Sequence, residues 1–544
     1  MSDLPGALPI KSLPARPNLE QYKKQAKELL RDWRGGDAAA VVRVEQYAAR
    51  ESAASLTNAQ LVIAREHGFP SWQKFAAEIE RLRVARVVEE MGDPVAAFLK
   101  AATVPTDGSW HQDGTLEEAD AILAREPKTA RANIYTAAAL GDEAAVKLFL
   151  AADASLATAK GGVHGWDALT YLCFSRYLRI DAARSEAFVR TARALLEAGA
   201  DANTGWSTTF VYEGGPKEEF EAVMYGASAV ARNAELVKLL LEFGADVNDG
   251  ETAYHASEGY DNTVLEILLK SGKFSKTALT TVLIRKADWH DDEGLKLALS
   301  YGADPNSMEH WGFSGMHHSA KRDNGLVMIA MLLDHGGDVT VKNKFGFTAA
   351  MLAARRGRGD ALKLFAERGI DAKLEGVHRL EAACAMADND AIRALLNEEP
   401  ELQAELMAIG GTLLAQFAGN GNVEGMKRLM ELGVPVDALY EGDGYFEIAK
   451  DSTAMHVAAW RGRPESVKLL IECGTPVNAL NSAGQTALQL AVKACVSSYW
   501  RRRRTPEWIE PLLKAGASTE GIEIPCGWTE ADELLSRDYG KREL

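Results

Sequence analysis

The sequence predicts an all-α protein built as a stack of short helix pairs. Three observations predict it. The stretch Ser452 to Asn481 reads as turn, short helix, tight turn, second helix, glycine stop and turn. The ending Gly-Ala-Asp-x-Asn recurs at Gly199–Asn203, Gly244–Asn248 and Gly302–Asn306. It recurs in degraded form at Gly336-Gly337-Asp338, Gly369-Ile370-Asp371, Gly433-Val434, Gly474-Thr475 and Gly516-Ala517. The third observation is composition: Ala, Leu, Glu and Gly dominate, and β-branched residues do not form runs. A helix pair of this size cannot bury its own apolar face and needs a copy of itself on each side.

Within Ser452–Asn481 each element has a local reason. Thr453 caps the first helix, and Met455, Val457, Ala458 and Ala459 give it an apolar stripe. Gly462 breaks it, while Pro464 and Glu465 suit the start of the next helix. Val467, Leu469, Leu470 and Ile471 form the buried face of that helix, and Gly474 ends it.

These residues carry a family resemblance. Thr453-Ala454-Met455-His456-Val457-Ala458 resembles the T-P-L-H-x-A signature of the ankyrin repeat, and Leu-Leu followed by Gly-Ala-Asp-x-Asn resembles its end. The intervals cluster near the ~33 residues of that family, or near twice that, with a few longer ones. The resemblance covers most of residues 130–520. It implies a solenoid of stacked helix-turn-helix pairs joined by hairpin loops. It also implies that His255, His317 and His456 serve hydrogen bonding between neighbouring hairpins.

Taken in order, residues 1–17 carry four prolines and read as an extended lead-in. Residues 18–90 read as a helical cap: helices from Asn18 to about Trp33, from Asp37 to about Arg50, from a Thr57 cap to Gly68, and from Pro70-Ser71-Trp72 to about Arg83. This module resembles the helical segment at the front of many bacterial ankyrin-repeat proteins, with Trp33, Phe69, Trp72 and Phe75 as its core. Residues 91–165 hold degenerate first helix pairs, 166–520 the solenoid, and 521–544 a closing cap. Insertions fall at 205–217, 438–451 and 496–507.

The net charge of −16 argues against nucleic acid as a partner, because phosphate contacts need a surplus of Lys and Arg. The one basic run, Arg501–Arg504, reads as a solvated loop. Five cysteines without C-x-x-C spacing imply neither a disulfide framework nor a zinc site. Cys173, Cys384 and Cys473 fall in apolar helical patterns and are expected to be buried thiols. No apolar run approaches the ~20 residues that span a bilayer, and the N-terminus lacks a signal-peptide pattern. The expectation is a cytoplasmic protein with no membrane partner, no metal and no cofactor.

Aromatic and charged residues gather on one edge over 206–356. The inner turns between paired helices present Tyr260, then Asp288-Trp289-His290-Asp291-Asp292, then Lys321-Arg322-Asp323-Asn324, then Arg355-Arg356. Hairpins add Trp311, Phe313 and Phe345, and the longer connections add Trp206, Tyr440, Tyr445 and Phe446. The first reading is a non-catalytic scaffold that binds a partner protein through this concave surface, with Tyr260, Trp289, His290, Trp311, Arg322 and Arg355 as contact residues. The second is an enzyme or small-molecule binder with a pocket in the same repeats. There His290 would work with Asp288 or Asp291 as acid and base, the arginines would hold an anionic group, and Trp289 or Trp311 would stack. No G-x-S-x-G, H-E-x-x-H or Walker pattern is present, and no spacing fixes a reaction.

Overall fold

A computed structural model describes residues 10–14, 16–47, 55–106, 110–212, 215–309, 311–497 and 504–537. The chain forms two compact units, Met1–Thr281 and Val282–Leu544. Both are stacks of paired helices.

The first unit opens with helices Leu19–Arg34, Ala38–Tyr47, Leu56–Glu66 and Trp72–Glu90. Asn18 caps the first by accepting from the N–H groups of Glu20 and Gln21. The third is capped by Ser55, which accepts from Asn58 N–H, not by Thr57 as expected; the helix starts two residues earlier because Ser55 supplies the same acceptor. Phe75 is fully buried with Tyr22, Val62 and Ile63, and Trp33, Phe69 and Trp72 pack against them. Glu66 is buried in this module and neutralised by Arg43 and Lys11.

Helix pairs follow: Pro94–Ala102 with Glu117–Arg125, Ile134–Ala139 with Glu143–Ala152, and Ala168–Cys173 with Ser185–Glu197. Where a longer connection was expected at 205–217, the chain instead builds an antiparallel hairpin, β1 (Gly205–Tyr212) with β2 (Gly215–Ala222). Trp206 and Glu221 are cross-strand partners, so they share one face, and both are buried. Trp206 packs against Trp166, Phe174 and His111. The hairpin is therefore anchored in the core of this unit. The pairs resume with Val223–Tyr225, continued by a π-helical turn, with Ala234–Glu242, and then Glu251–His255 with Thr263–Lys270.

Pairing continues through Lys276–Asp288 with Asp292–Ser300, Gly315–Lys321 with Leu326–Asp334, Ala349–Arg355 with Gly359–Glu367 and Val377–Met386 with Asn389–Glu398. An extra helix, Glu401–Ala408, precedes Gly410–Asn420 with Val423–Glu431. Then come Ala454–Trp460 with Pro464–Glu472, Ala487–Ser497 with Glu510–Lys514, and a closing helix Thr529–Leu535. Arg501–Arg503 lie outside the described residues; Arg504 donates to the Cys495 carbonyl and covers the Trp528 ring.

Two devices stitch neighbouring repeats. At three repeats the Asn that closes the Gly-Ala-Asp-x-Asn motif or its degraded form works in both directions. Asn306 Nδ2 donates to the Gly336 carbonyl (2.8 Å) and its Oδ1 accepts from Asp338 N–H (2.7 Å). Asn248 does the same with Lys273 and Ser275, and Asn478 with Gly516 and Ser518. These bonds satisfy helix-end and loop groups that would otherwise lack partners. The second device is the motif histidine. Ser314 and Thr453 donate their N–H groups to Nδ1 of His317 and His456, whose Nε2 atoms reach the carbonyls of Val341 and Ala479 on the next hairpin. His255 departs from this pattern: it sits between Glu251 and Glu258 and beside the Tyr225 ring.

Several of the tight inner turns hold one residue with positive φ. Glycine holds it at Gly357, Gly421 and Gly462. At Gly462 a Cβ would lie 2.1 Å from the Trp508 ring, so glycine is required there for space as well as for backbone freedom. Arg232, His290, Asp323 and Ala387 adopt the same conformation without being glycine. All five cysteines are free; Cys173, Cys384 and Cys495 are buried. Cys473 is exposed rather than buried, because it lies past the last helical turn, at the C-cap of Pro464–Glu472.

Candidate functional site

The site is built from the inner turns and hairpin tips of the second unit. Asp288 ends the helix Lys276–Asp288. Its Oδ1 accepts from Arg322 Nε at 2.7 Å and lies 2.6 Å from His318 Nε2, while Oδ2 accepts from Arg285 Nη1 at 2.8 Å. Burial pushes the Asp288 carboxyl up, but His318 and the two arginines outweigh it and hold Asp288 well below the usual carboxylate range. His318 is buried, and that burial lowers its pKa against the pull of Asp288.

One turn further on, Asp323 is a second hub. Arg356 donates to both its oxygens, Arg461 pairs with Oδ2 and Asn420 Nδ2 donates to Oδ1. Asp323 and Arg461 have side chains only 1% exposed. Burial raises Asp323, and Arg356 and Arg461 more than reverse it. Two carboxylates thus hold four arginines: Arg285 and Arg322 on Asp288, Arg356 and Arg461 on Asp323.

The insertion at 438–451 folds onto this network. Its base is a short pairing of Leu439–Tyr440 with Ser452–Thr453. Arg322 lies directly under the Tyr445 ring, and the Tyr445 hydroxyl donates to the Asp288 carbonyl at 3.4 Å. Phe446 takes Arg461 on its ring at 4.5 Å and Arg356 at 5.2 Å. Such ring-on-guanidinium contacts are favourable because the ring face is electron-rich.

The hairpin tips form a separate, more open surface. Lys344 N–H donates to the Gly312 carbonyl, bringing two tips together. Phe313 and Phe345 meet at 5.5 Å. Lys321 lies 4.9 Å over Phe313, and Lys344 lies 5.3 Å over Phe345. Phe345 is 64% exposed. Arg355 stacks over Phe347 at 5.1 Å and pairs with Glu381.

The residues singled out from sequence fall in different places. Asp288, Trp289, His290 and Asp291 share one inner turn, and Arg322 joins them through Asp288. His290 holds the positive-φ position, and its Nδ1 lies 3.1 Å from Asn324 Nδ2. Asp291 caps helix Asp292–Ser300 and pairs with the buried Lys286. Trp311 lies on the hairpin before Phe313 and is half-buried. Arg355 belongs to the hairpin-tip group. Tyr260 is exposed in the first unit. Sequence reasoning placed Asp323 on an inner turn without giving it a role and did not single out Arg461; the available signal was an aspartate at the position glycine holds at Gly357, Gly421 and Gly462. Among the described residues no group of three or more His, Cys, Asp or Glu could hold a metal ion, and no helix is long and apolar enough to cross a membrane.

A family model described as ankyrin repeats (3 copies) matches residues 283–375 and 380–481. Residues 283–375 and 380–481 are ankyrin repeats. The matched ankyrin stretches contain every residue of the Asp288 and Asp323 network, the Phe313–Phe345 surface and the Tyr445 insertion. A putative ankyrin repeat protein of Rickettsia felis (strain ATCC VR-1525 / URRWXCal2) is 31% identical over 107 residues, which is 20% of this chain. The match spans 28% of that relative's length. The crystal structure of the human ASB11 ankyrin repeat domain is 24% identical, covers 43% of this chain and 98% of its own, and has a TM-score of 0.20. Ankyrin repeats are generally protein–protein interaction modules.

Proposed function

We propose that this ankyrin-repeat protein binds a partner protein through the hairpin tips and inner turns of the second unit. The observation that carries the reading is Phe345, largely exposed beside Phe313 and flanked by Lys321 and Lys344. In a chain of net charge −16, an aromatic surface rimmed by cations is a local exception. It suits a partner presenting apolar side chains among acidic ones. Trp311 and Arg355 border this surface and are proposed as further contacts; Trp289, His290 and Arg322 lie along the adjoining inner turns. The cysteines, all free, fit a reducing compartment such as the cytoplasm. The acid–base reading of His290 gains no support, since Asp288 and Asp291 are each committed to buried cations.

The test is affinity capture with the wild type and with Phe345→Ala/Lys344→Glu, compared at matched folding by circular dichroism. The expected result is loss of captured partners by the variant. An unchanged set of captured proteins would sink the idea that this surface binds.

A further inference from the structure

The insertion at 438–451 makes side-chain contacts of a kind that a bound peptide makes. Tyr445 and Phe446 lay their rings on Arg322, Arg356 and Arg461. Asp443 Oδ2 approaches Arg356 Nη1 at 4.0 Å, and Glu447 pairs with Lys493 at 3.3 Å. The backbone of the insertion is mostly closed on itself. Asp443 and Ile448 exchange both backbone hydrogen bonds, and Asp443 Oδ1 accepts from Tyr445 N–H. The tip's backbone is tied to the framework where Trp460 Nε1 donates to the Phe446 carbonyl.

The fit is also incomplete. Arg322 Nη1 is buried without a hydrogen-bond partner although its side chain is only 10% exposed. The Tyr445 ring lies over that guanidinium, and a ring face accepts only weakly compared with an oxygen. Tyr445 itself remains 44% exposed. Glu447 and Asp451 take positive φ without being glycine, a conformation that costs an L residue energy.

We propose that segment 441–449 is a ligand held in cis on a docking surface for acidic–aromatic peptides. The inner-turn arginines Arg322, Arg356 and Arg461 are that surface. The occupant in trans is a partner segment with an acidic residue two positions before paired aromatics, the order Asp443-Gly444-Tyr445-Phe446 of the insertion itself. A carboxylate reaching Arg322 Nη1 satisfies the donor that Tyr445 leaves bare. The segment thereby keeps the surface closed until a better-matched sequence displaces it. This inference rests on the protein-binding reading but concerns a different surface from Phe345.

The test uses the full chain and a fluorescent synthetic peptide spanning residues 439–450. Tyr445→Ala opens the surface over Arg322. If the cis segment is docked nine-tenths of the time, its removal tightens apparent peptide binding about tenfold, read by fluorescence anisotropy. Adding Arg322→Lys keeps the charge beside Asp288 but removes the planar fork, and the gain is expected to vanish. A folded Tyr445→Ala protein that binds the peptide no tighter than wild type would overturn the proposal. Self-association of Tyr445→Ala without tighter peptide binding would also overturn it, in favour of exchange of the segment between copies. Where Tyr445→Ala does not fold, wild-type hydrogen exchange decides: excess peptide must raise deuterium uptake over 441–449, and no rise overturns the proposal. Because Phe345→Ala/Lys344→Glu leaves the arginine surface intact, failure of either idea is read separately.

Discussion

Arg356 closes a two-pronged ion pair on Asp323, with Nε and Nη2 each 2.7 Å from a carboxylate oxygen. Arg461 and Asn420 complete the ring of donors. Removing the carboxylate leaves two guanidinium groups buried without their counter-charge. Asp323→Ala is expected to lower unfolding free energy by about 3–5 kcal/mol, measured by urea denaturation. A loss below about 1 kcal/mol would mean that the arginines find other acceptors or water.

The same network predicts acid sensitivity. Asp288 and Asp323 have folded pKa values below their unfolded ones. A depressed carboxyl contributes stability that is fully present above the unfolded value of about 3.9 and is lost as pH falls below it. Their contribution is therefore expected to hold from neutral pH down to about pH 4 and then decline. Melting temperature against pH, compared between wild type and Asp323→Asn, reads this: the difference should shrink only in the acid range. A difference that instead shrinks between pH 8 and pH 6 would contradict the assignment.

Glu221 works in the opposite direction. Burial, then the negative Glu251, raises its pKa to about 8, against the pull of His255, and its Oε2 has no hydrogen-bond partner. A raised carboxyl is favourable to the fold only while protonated. Its contribution is full below the unfolded value near 4.3 and is lost as pH rises towards 8. Glu221→Gln is thus expected to stabilise the protein at pH 8 by on the order of 3 kcal/mol and to change little at pH 4. Urea midpoints at the two pH values test it, and equal effects at both would refute the sign.

Gly462→Ala is expected to destabilise by about 2 kcal/mol or more, since the new methyl meets the Trp508 ring at a positive-φ position. Thermal unfolding followed by circular dichroism gives the measurement. Gly484→Ala, where a Cβ meets open space at similar φ, isolates the backbone share; equal losses in the two variants would rule out the ring contact as the cause.

The repeat was legible because its signals are local. Thr453, Gly462, Pro464 and Gly474 each act within a few residues of themselves, and the structure places helices Ala454–Trp460 and Pro464–Glu472 between them. The bridging of His317 and His456 followed from the motif for the same reason. The β-hairpin was not legible, because Gly205–Ala222 mixes Thr, Lys and Glu, and its stability comes from Trp206 finding Trp166 and Phe174. The Asp323 hub joins residues up to 138 positions apart, Asp323 to Arg461; no periodicity announces such a pairing. His255 carries the motif histidine but answers to Glu251 and Glu258, so a motif position fixed the residue without fixing its partners.

The asparagine bridges have a consequence for how such a chain can change over time. Asn306 and Asp338 are 32 residues apart, while Asn203 and Asp246 make the same contact across 43, with the whole β-hairpin lying between them. The bond that registers one hairpin on the next does not depend on the length of chain between them. Extra sequence can therefore be acquired in that interval, tried and discarded while the spacing of the array survives. The hairpin occupies one such interval, with Trp206 seated against Trp166 and Phe174 in the core.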